Sequence, residues 1–293
     1  MKIRRSLGDH ITDAAINGIL LVLTVVTLYP FFYSFIASLS DSTALMKHRG
    51  LLFVPLGLSL DAYMKVFTNR MILTGYENTM LYMSTGTVLN LLLTCLGAYV
   101  LSRRSFRARN IIMFFISFTM FFNGGLIPTF LVVRGLGMYN SFWAMILPSA
   151  ISTWNLIILR TSMGEIPDSM EESAKIDGAN HFQILFRIIL PLSKAVMAVM
   201  TLFYAVGHWN SWFNAMVYLR NRQMIPLQLV LREILISNSV SSMTTGLPAD
   251  TSAPIGESIK YATMMVATIP VLVIYPLLQK YFVKGVMIGA IKG

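Results

Sequence analysis

The chain has 293 residues, of which 55% are hydrophobic and 12% are charged, and its mean hydropathy is +0.65. A water-soluble domain carries about 25% charged residues, so this composition excludes one and indicates a membrane protein. The formal charge of +10 would suit a nucleic-acid-binding protein, but the basic residues sit mainly beside apolar stretches, as in membrane proteins, and we expect no nucleic-acid partner.

Six apolar stretches are long enough to cross a bilayer as helices, because a hydrocarbon core of ~30 Å requires about 20 helical residues. They cover residues 16–38, 79–101, 111–133, 142–159, 192–219 and 261–283. We therefore predict an all-α, polytopic membrane protein with six transmembrane helices, formed by residues 1–293 as one domain. The first stretch follows MKIRR but is longer than the roughly 7 to 15 residues of a signal-peptide core, so we expect it to remain as a helix.

The orientation follows from the connection at residues 102–110, which contains four arginines and is therefore costly to translocate. With this connection in the cytoplasm, both termini and a connection at about 160–191 are also cytoplasmic. The long connections at about 41–77 and 220–260 are then outside. The first should form short surface helices, and Ser237 to Pro254 should form a polar loop. These outer segments either contact a substrate-delivering protein or are solvated loops without a partner.

Polar residues within the predicted spans are candidates for a translocation path. Amides and indoles suit sugars, because hydroxyl groups need hydrogen-bond partners and the apolar face of a sugar stacks on aromatic rings. The equally valid alternative is hydrogen bonding between helices together with an aromatic belt at the interface. The candidates are Asn123, Asn155, His208, Trp209, Asn210, Trp212 and Asn214. Prolines in the spans should kink their helices, namely Pro30, Pro128, Pro148 and Pro270.

The polar stretch between the fourth and fifth spans has the pattern of two short helices. Ser169 and Glu172 have the spacing of a capping box, so a helix should begin near Ser169 and end at Gly178. Glu172 and Lys175 should share one surface of this helix, while Met170, Ala174 and Ile176 could be covered by a partner. A second helix should run from Ala179 to Ile189 and stop before Pro191.

This stretch resembles the EAA loop of ABC importer permeases, the cytoplasmic segment that docks on an ATP-hydrolysing subunit. The family pattern is E-A-A, three residues, G, nine residues, I, one residue, L-P. The matching positions are Glu172, Ser173, Ala174, Gly178, Ile188, Leu190 and Pro191, with Ser173 replacing the first alanine. Asp177 and Ala179, beside the glycine, are also typical of the carbohydrate branch.

The resemblance extends over essentially the whole chain. The chain is similar to the second permease of the maltose importer, and within that group to the branch that includes the alginate importer. It implies that the six coupling residues, Glu172 to Ala174 and Asp177 to Ala179, contact an ATPase, and that Gly285 to Gly293 reaches toward the ATPase dimer. It further implies a bacterial inner membrane location and several partners. These are a second homologous permease subunit, two ATP-binding cassette subunits, an extracytoplasmic solute-binding protein and an oligosaccharide.

The energy source is expected to lie in those partners. The sequence has no G-x-x-x-x-G-K-[ST] loop, so we expect no cofactor on this chain, with ATP and Mg²⁺ bound by the ATPase subunits. All 13 acidic residues fall outside the six predicted spans, which counts against a stand-alone secondary transporter driven by ions. An intramembrane enzyme lacks a recognisable nucleophile, base or metal set, since Cys95 is the only cysteine and His208 has no neighbouring ligand.

The solute is less constrained than the class of transporter, and another ABC permease substrate stays open as an alternative. Four basic groups near the path could suit an acidic oligosaccharide such as alginate: Arg134, Lys194, His208 and Lys260. The same groups are also what membrane interfaces usually carry, because long basic side chains extend toward the headgroups.

Overall fold

The structure of the protein is a computed structural model that describes residues 7–244, 257–273 and 276. Within these residues the backbone is helical, and its one β pairing is an isolated bridge between Ser40 and Leu58. The helices are α1 (Leu7–Ser38), α2 (Ser42–Lys47), α3 (Asp61–Thr68), α4 (Arg70–Ser102), α5 (Arg109–Phe121), α6 (Leu126–Gly135), α7 (Trp143–Ile146), α8 (Thr153–Gly164), α9 (Asp168–Ile176), α10 (His181–Ile184), α11 (Leu190–Leu192), α12 (Lys194–Trp209), α13 (Phe213–Tyr218), α14 (Leu227–Thr244) and α15 (257–273). Leu147–Ser149 and Arg222–Met224 are 3-10 turns, and Leu185–Ile189 is a π-helix.

Two of the described helices are long and apolar enough to cross a membrane, α1 from His10 onward and α4. Two further spans result if each bent pair of helices is counted as one, which gives four. These pairs are α5 with α6, bent by 117°, and the segment His181–Leu192 with α12, bent by 87°. The sixth predicted span, 261–283, lies partly outside the described residues, and its described part belongs to α15.

The third predicted span is interrupted, because a local turn ends its first half. Oδ1 of Asn123 accepts a hydrogen bond of 2.9 Å from the backbone N–H of Gly125, whose φ is +85°. A side chain that binds its own backbone two residues ahead competes with the helix, and the left-handed conformation of Gly125 completes the break. Pro128 therefore lies in the first turn of α6, where its missing N–H costs little, and it is not the kink that we predicted.

The fourth and fifth predicted spans are also divided. In the fourth, α7 passes into a 3-10 turn that contains Pro148, and Ser152 then caps a new helix, α8. In the fifth, α12 ends at Trp209 and α13 begins at Phe213. Pro30, in contrast, lies inside the continuous helix α1.

The contacts divide the chain into two units. One unit contains Met1–Asn69 with Glu233–Thr268, and the other is built on Arg70–Arg232. In the first unit, Ile36, Ala37, Leu45 and Leu52 form a small core, and the ring of Tyr33 packs edge-on against Tyr261 at 5.7 Å. The short helices predicted in residues 41–77 are α2 and α3. The polar loop predicted from Ser237 is wrong at its start, because α14 continues to Thr244, and its remaining residues 245–254 lie outside the described part.

The core of the second unit lies where α4, α5 and α8 meet α9, α10 and the π-helix. Its buried side chains come from all of these elements. They are Cys95, Ala98, Tyr99, Leu101, Met113, Leu156, Leu159, Met163, Ala174, Ile184, Leu185 and Ile189. This arrangement fixes the polar stretch between the fourth and fifth predicted spans against one end of α4.

Candidate functional site

The helix α9 carries the motif residues and begins one residue earlier than predicted. It starts at Asp168 after Pro167, and no side chain caps it, so the capping box predicted at Ser169 is absent. Asp168 and Glu171 lie in the first turn, where negative charge interacts favourably with the helix dipole. The Ser173 hydroxyl donates to the carbonyl oxygen of Ser169 at 2.9 Å, so this polar residue is satisfied within its own helix.

Gly178 forms the predicted corner at the end of α9. Its φ is +82°, in the left-handed region that glycine adopts without strain. The N–H of Gly178 donates to the carbonyl of Lys175 at 3.0 Å, and the N–H of Ala179 donates to Ala174 at 2.9 Å. These bonds satisfy carbonyls that the helix end would otherwise leave free. The corner therefore depends on backbone conformation, since no atom lies within 4 Å of a Cβ built on Gly178.

A capping box is present at the next helix. The side chain of Asn180 accepts from the backbone N–H of Gln183 at 2.9 Å, and the side chain of Gln183 accepts from the N–H of Asn180 at 2.8 Å. Helix α10 continues through the π-helix, in which the N–H of Leu190 donates to Leu185, five residues back. The wider π turn is followed by Pro191 within α11, so the predicted stop before Pro191 is wrong.

Glu171 is the centre of a buried ionic network. Its carboxylate lies 3.0 Å from Arg103 and 3.0 Å from Lys175, and the hydroxyl of Tyr99 donates to it at 3.3 Å. Only 5% of Glu171 is exposed. Burial by itself raises the pKa of Glu171, but the hydrogen bonds and charges of Lys175 and Arg103 outweigh it and lower the pKa below its ordinary value. Glu171 is thus a buried carboxylate that stays ionised.

The surface of α9 differs from the prediction at Ala174. Ala174 is buried in the core of its own unit, so it is not available to a partner. Lys175 is exposed, as Glu172 is, and its ammonium group pairs with Glu171 four residues earlier. The exposed residues of this surface include Met170, Glu172, Ser173, Lys175, Ile176 and Asp177, and 87% of Ile176 is exposed.

A cavity of about 550 Å³ lies further along α4 and α12, and its wall combines amides, hydroxyls and aromatic rings. Its lining residues are Asn90, Met145, Ser149, Ser152, Trp154, Asn155, Phe203, Tyr204, Gly207, His208, Asn210, Ser211, Phe213 and Asn214. No Lys, Arg, Asp or Glu among the described residues lines it. A cavity of this size lies within the range of roughly 300–1,000 Å³ that small-molecule sites occupy.

Hydrogen bonds between helices hold the wall of the cavity in place. Oδ1 of Asn90 and Nε2 of His208 are 2.9 Å apart, and Nδ2 of Asn90 donates to the carbonyl oxygens of Ser149 and Ala150. The hydroxyl of Tyr204 accepts from the N–H of Ser152 at 3.1 Å. The side chains of Asn90, Tyr204 and His208 are therefore paired with groups on neighbouring helices, as buried polar groups generally are.

Four of the seven residues predicted for the path line this cavity: Asn155, His208, Asn210 and Asn214. The other three do not. Asn123 caps the turn between α5 and α6. Trp209 is 2% exposed, and its indole packs edge-on against Tyr76 at 5.9 Å. Trp212 lies beneath the guanidinium of Arg232, at 4.4 Å from the centre of its ring.

Sequence reasoning missed Asn90, Thr94 and Tyr204, which are polar residues in otherwise apolar helices. The hydroxyl groups of Thr94 and Tyr204 are 2.7 Å apart, so these two helices are joined beside the cavity. All three lie within predicted spans, and a polar side chain within an apolar span is the sequence signal that points to them. Of the four basic groups proposed for an acidic sugar, His208 alone lines the cavity. In the other unit, Lys260 is 4.0 Å from the carboxylate of Glu257.

Comparisons with known proteins cover most of the chain. Residues 90–288 match the family described as "Binding-protein-dependent transport system inner membrane component". A polygalacturonan/rhamnogalacturonan transport system permease protein, YtcP of Bacillus subtilis (strain 168), is 42% identical over 97% of this chain and 99% of its own. The galactooligosaccharides transport system permease protein GanQ of the same organism is 29% identical over 94% of each chain.

A solved structure is also similar over nearly the entire chain. It is a chain of a bacterial ABC transporter involved in the import of the acidic polysaccharide alginate. Its sequence identity to this chain is 33%, the TM-score is 0.86, and the match covers 96% of this chain and 100% of that one. The similarity in sequence and in fold therefore extends to both units.

Proposed function

Since the chain belongs to the family of binding-protein-dependent transport system inner membrane components, we propose that its cavity forms half of an oligosaccharide pathway, enclosed together with a second permease subunit. The chain is a permease subunit of a sugar ABC importer and not an enzyme. ATP and Mg²⁺ are bound by two separate ATPase subunits, and an extracytoplasmic binding protein delivers the sugar.

The observation that carries the proposal is the composition of the cavity wall. Asn155, Asn210 and Asn214 offer both donors and acceptors to sugar hydroxyl groups. Phe203 and Phe213 offer apolar rings, on which the carbon-bound hydrogens of a sugar ring can pack. Because the described part of the wall has no carboxylate, it would not repel a negatively charged sugar.

The topology that we propose has six spans with both termini in the cytoplasm. The contact between Arg103 and Glu171 supports it, because it joins the arginine-rich connection at 102–110 to the motif segment at 160–191. Both segments are then on the side where the ATPase lies. The segments at 41–77 and 220–260 lie on the opposite side, where the binding protein docks.

The proposed mechanism is alternating access driven from α9. ATP closes the ATPase dimer, and its groove moves α9, which contacts it through Glu172 and the exposed Ile176. The corner at Gly178 lets the chain turn back toward the membrane. The residues on either side of it, Asp177 and Ala179, donate backbone hydrogen bonds to carbonyls of α9. The spans then open outward to accept the sugar, since each state of the ATPase favours one state of the pathway.

The substrate class that we propose is an acidic oligosaccharide built of uronic acids. Two proteins that share 42% and 33% identity with this chain are named for polygalacturonan/rhamnogalacturonan and for alginate. GanQ, named for galactooligosaccharides, shares 29%. Inside the cavity, a uronate carboxylate would accept hydrogen bonds from the side-chain amides of Asn155, Asn210 and Asn214.

The test is uptake by the assembled complex in proteoliposomes, with its ATPase subunits and binding protein. Oligogalacturonate and alginate oligosaccharide are compared with a neutral galactooligosaccharide. We expect ATP-dependent uptake of an acidic sugar. Uptake of the neutral sugar alone would contradict the substrate class but not the importer, and uptake without any ATPase would contradict the importer.

The cavity is tested in the same assay by replacing its amides. Asn210→Leu and Asn214→Leu remove hydrogen-bonding groups from the wall and should lower uptake by about tenfold each, as expected when a polar ligand loses a partner. Asn110→Leu is the matched control, since Asn110 is an exposed amide outside the cavity. Equal uptake by all three variants would contradict the assignment of this cavity.

A further inference from the structure

Helix α9 is held to its unit at few points. Of its nine residues, the buried ones are Glu171 and Ala174. Ala174 contributes one methyl group to the core, so Glu171 is the buried polar side chain of this helix. The position of α9 relative to the membrane helices therefore depends on what Glu171 contacts.

The principal partner of Glu171 is Arg103, whose guanidinium joins three helices. Nη1 donates to Oε2 of Glu171 in α9 at 3.0 Å. Nη2 donates to the carbonyl oxygen of Met163 near the end of α8, and Nε donates to Ser102 at the end of α4. The guanidinium is planar and its donors point in fixed directions, so three simultaneous bonds define an orientation as well as a distance.

Stability alone does not explain this pair. Burying two charges costs desolvation energy, and replacing a buried ion pair by apolar residues of similar volume often leaves a protein equally stable. The side chains of Arg103 and Glu171 are 8% and 7% exposed. What apolar residues would not supply is the fixed register between α4, α8 and α9, because apolar packing is not directional.

Helix α4 extends this register to the cavity. It runs without interruption from Arg70 to Ser102 and carries Asn90, which binds His208 on α12. Asn90 and Arg103 are 13 residues apart, which corresponds to about 20 Å of α-helix. A displacement of α9 that reaches Arg103 can therefore move the wall of the cavity through one rigid element.

We propose that Arg103 and Glu171 are positioning residues that transmit the displacement of α9 through α4 to the cavity. The proposal rests on the proposed function, because α9 must be moved by an ATPase. Without the pair, α9 would still dock through its exposed surface and ATP would still be hydrolysed. The sugar transported per ATP would fall.

The experiment measures sugar uptake and ATP hydrolysis by the same proteoliposomes, with oligogalacturonate as the probe and with equal amounts of assembled complex. The test variant is R103M/E171L, which replaces the pair by apolar side chains and leaves the half-exposed Lys175 in solvent. The matched control is R104M/D168N. Arg104 and Asp168 connect the same two segments at 3.7 Å, but their side chains are 79% and 50% exposed.

We expect R103M/E171L to lower the sugar transported per ATP by about fivefold or more, with ATP hydrolysis within about twofold of the parent, as for the loss of a typical coupling free energy. The control should keep the parental ratio. An unchanged ratio in R103M/E171L would overturn the proposal. So would a parallel loss of uptake and hydrolysis, because the pair would then serve the fold alone.

A second variant covers the case in which R103M/E171L does not assemble. Arg103→Lys keeps a positive charge beside Glu171 but loses the simultaneous bonds to Ser102 and Met163. It should give an intermediate ratio, and a parental ratio would overturn the proposal. Failure of the proposed function is separate, because the parental complex would then show no ATP-dependent uptake of the probe.

Discussion

Nε2 of His208 lies 2.9 Å from Oδ1 of Asn90, and this contact assigns the tautomer of the histidine. Nδ2 of Asn90 donates to the carbonyl oxygens of Ser149 and Ala150, so Oδ1 is the end of the amide that faces the imidazole. Because Oδ1 can only accept, the hydrogen-bond network assigns the proton to Nε2. In a neutral imidazole, Nδ1 is then an acceptor. One amide therefore joins α4, α12 and the segment after α7.

Replacing Asn90 by leucine should destabilise the protein. Asn90→Leu leaves the buried Nε2 of His208 and the carbonyl groups of Ser149 and Ala150 without their partner, and an unsatisfied buried polar group costs about 1–3 kcal/mol. Thermal unfolding in detergent should show a lower midpoint. Asn214→Leu is the control, since Asn214 is a half-buried amide of the same cavity, and its midpoint should stay near that of the parent. Equal midpoints for both variants would contradict the importance of the contact.

Gly86 should not tolerate a side chain. A Cβ at this position would overlap with Nε2 of His208, since it would lie closer to it than any ordinary contact. Gly86→Ala should therefore displace the imidazole from Asn90 and cost about 1–3 kcal/mol, as overpacking of a filled core does. Gly18→Ala is the control, because no atom lies within 4 Å of its added Cβ. Unfolding midpoints of the two variants check the difference, and a stable Gly86→Ala protein would contradict the packing described.

Gly178 should be replaceable only by a residue that accepts positive φ. Gly178→Ala should cost about 1–2 kcal/mol through left-handed backbone strain. Gly178→Asn should cost less, since asparagine adopts this conformation more readily. The alanine variant should remain in the membrane but lose uptake per ATP. Gly164→Ala is the control, because Gly164 has open space and no positive φ. Normal uptake by Gly178→Ala would count against the corner as a coupling element.

The buried carboxylate of Glu171 should make stability depend on pH. Its pKa lies below the ordinary value of 4.5, so its stabilising contribution is fully present above that value. The contribution is lost as the pH falls through the lowered pKa, because the protonated acid no longer pairs with Arg103 and Lys175. Unfolding midpoints measured from neutral to acidic pH should fall less steeply for Glu171→Gln than for the parent. Parallel curves would show that Glu171 is not the group responsible.

Local features of the polar stretch were readable from sequence because they depend on near neighbours. The corner at Gly178 requires only a glycine after a helix, and its φ of +82° agrees. The helix begins within one residue of the predicted start near Ser169, but the capping box predicted there does not form. Ser169 has the spacing of a capping box, but helix α9 begins at Asp168, and Asn180 with Gln183 forms the box instead. The spacing shows that a capping box can form at a helix start, but it does not specify whether its hydrogen bonds are made.

The cavity was only partly predictable, because helices that look continuous in composition are divided in space. The sequence predicts the amides Asn155, Asn210 and Asn214 as polar residues at membrane depth, and all three line the cavity. Trp209 and Trp212 were grouped with them by sequence, but they pack against Tyr76 and Arg232 instead. Because α12 ends at Trp209, the residues that follow do not continue its helical spacing and face different surroundings. The hydropathy of the sequence does not show where this helix ends.

The sequence by itself determined the membrane class, the family motif and the corner at Gly178, because composition and local spacing specify these. The tertiary structure alone decided that Glu171 pairs with Arg103 and that Asn90 binds His208. Arg103 and Glu171 are 68 residues apart in sequence, and Asn90 and His208 are 118 apart. Such contacts depend on how α4 packs against its neighbours, and no periodicity along the chain specifies which polar groups meet when helices pack.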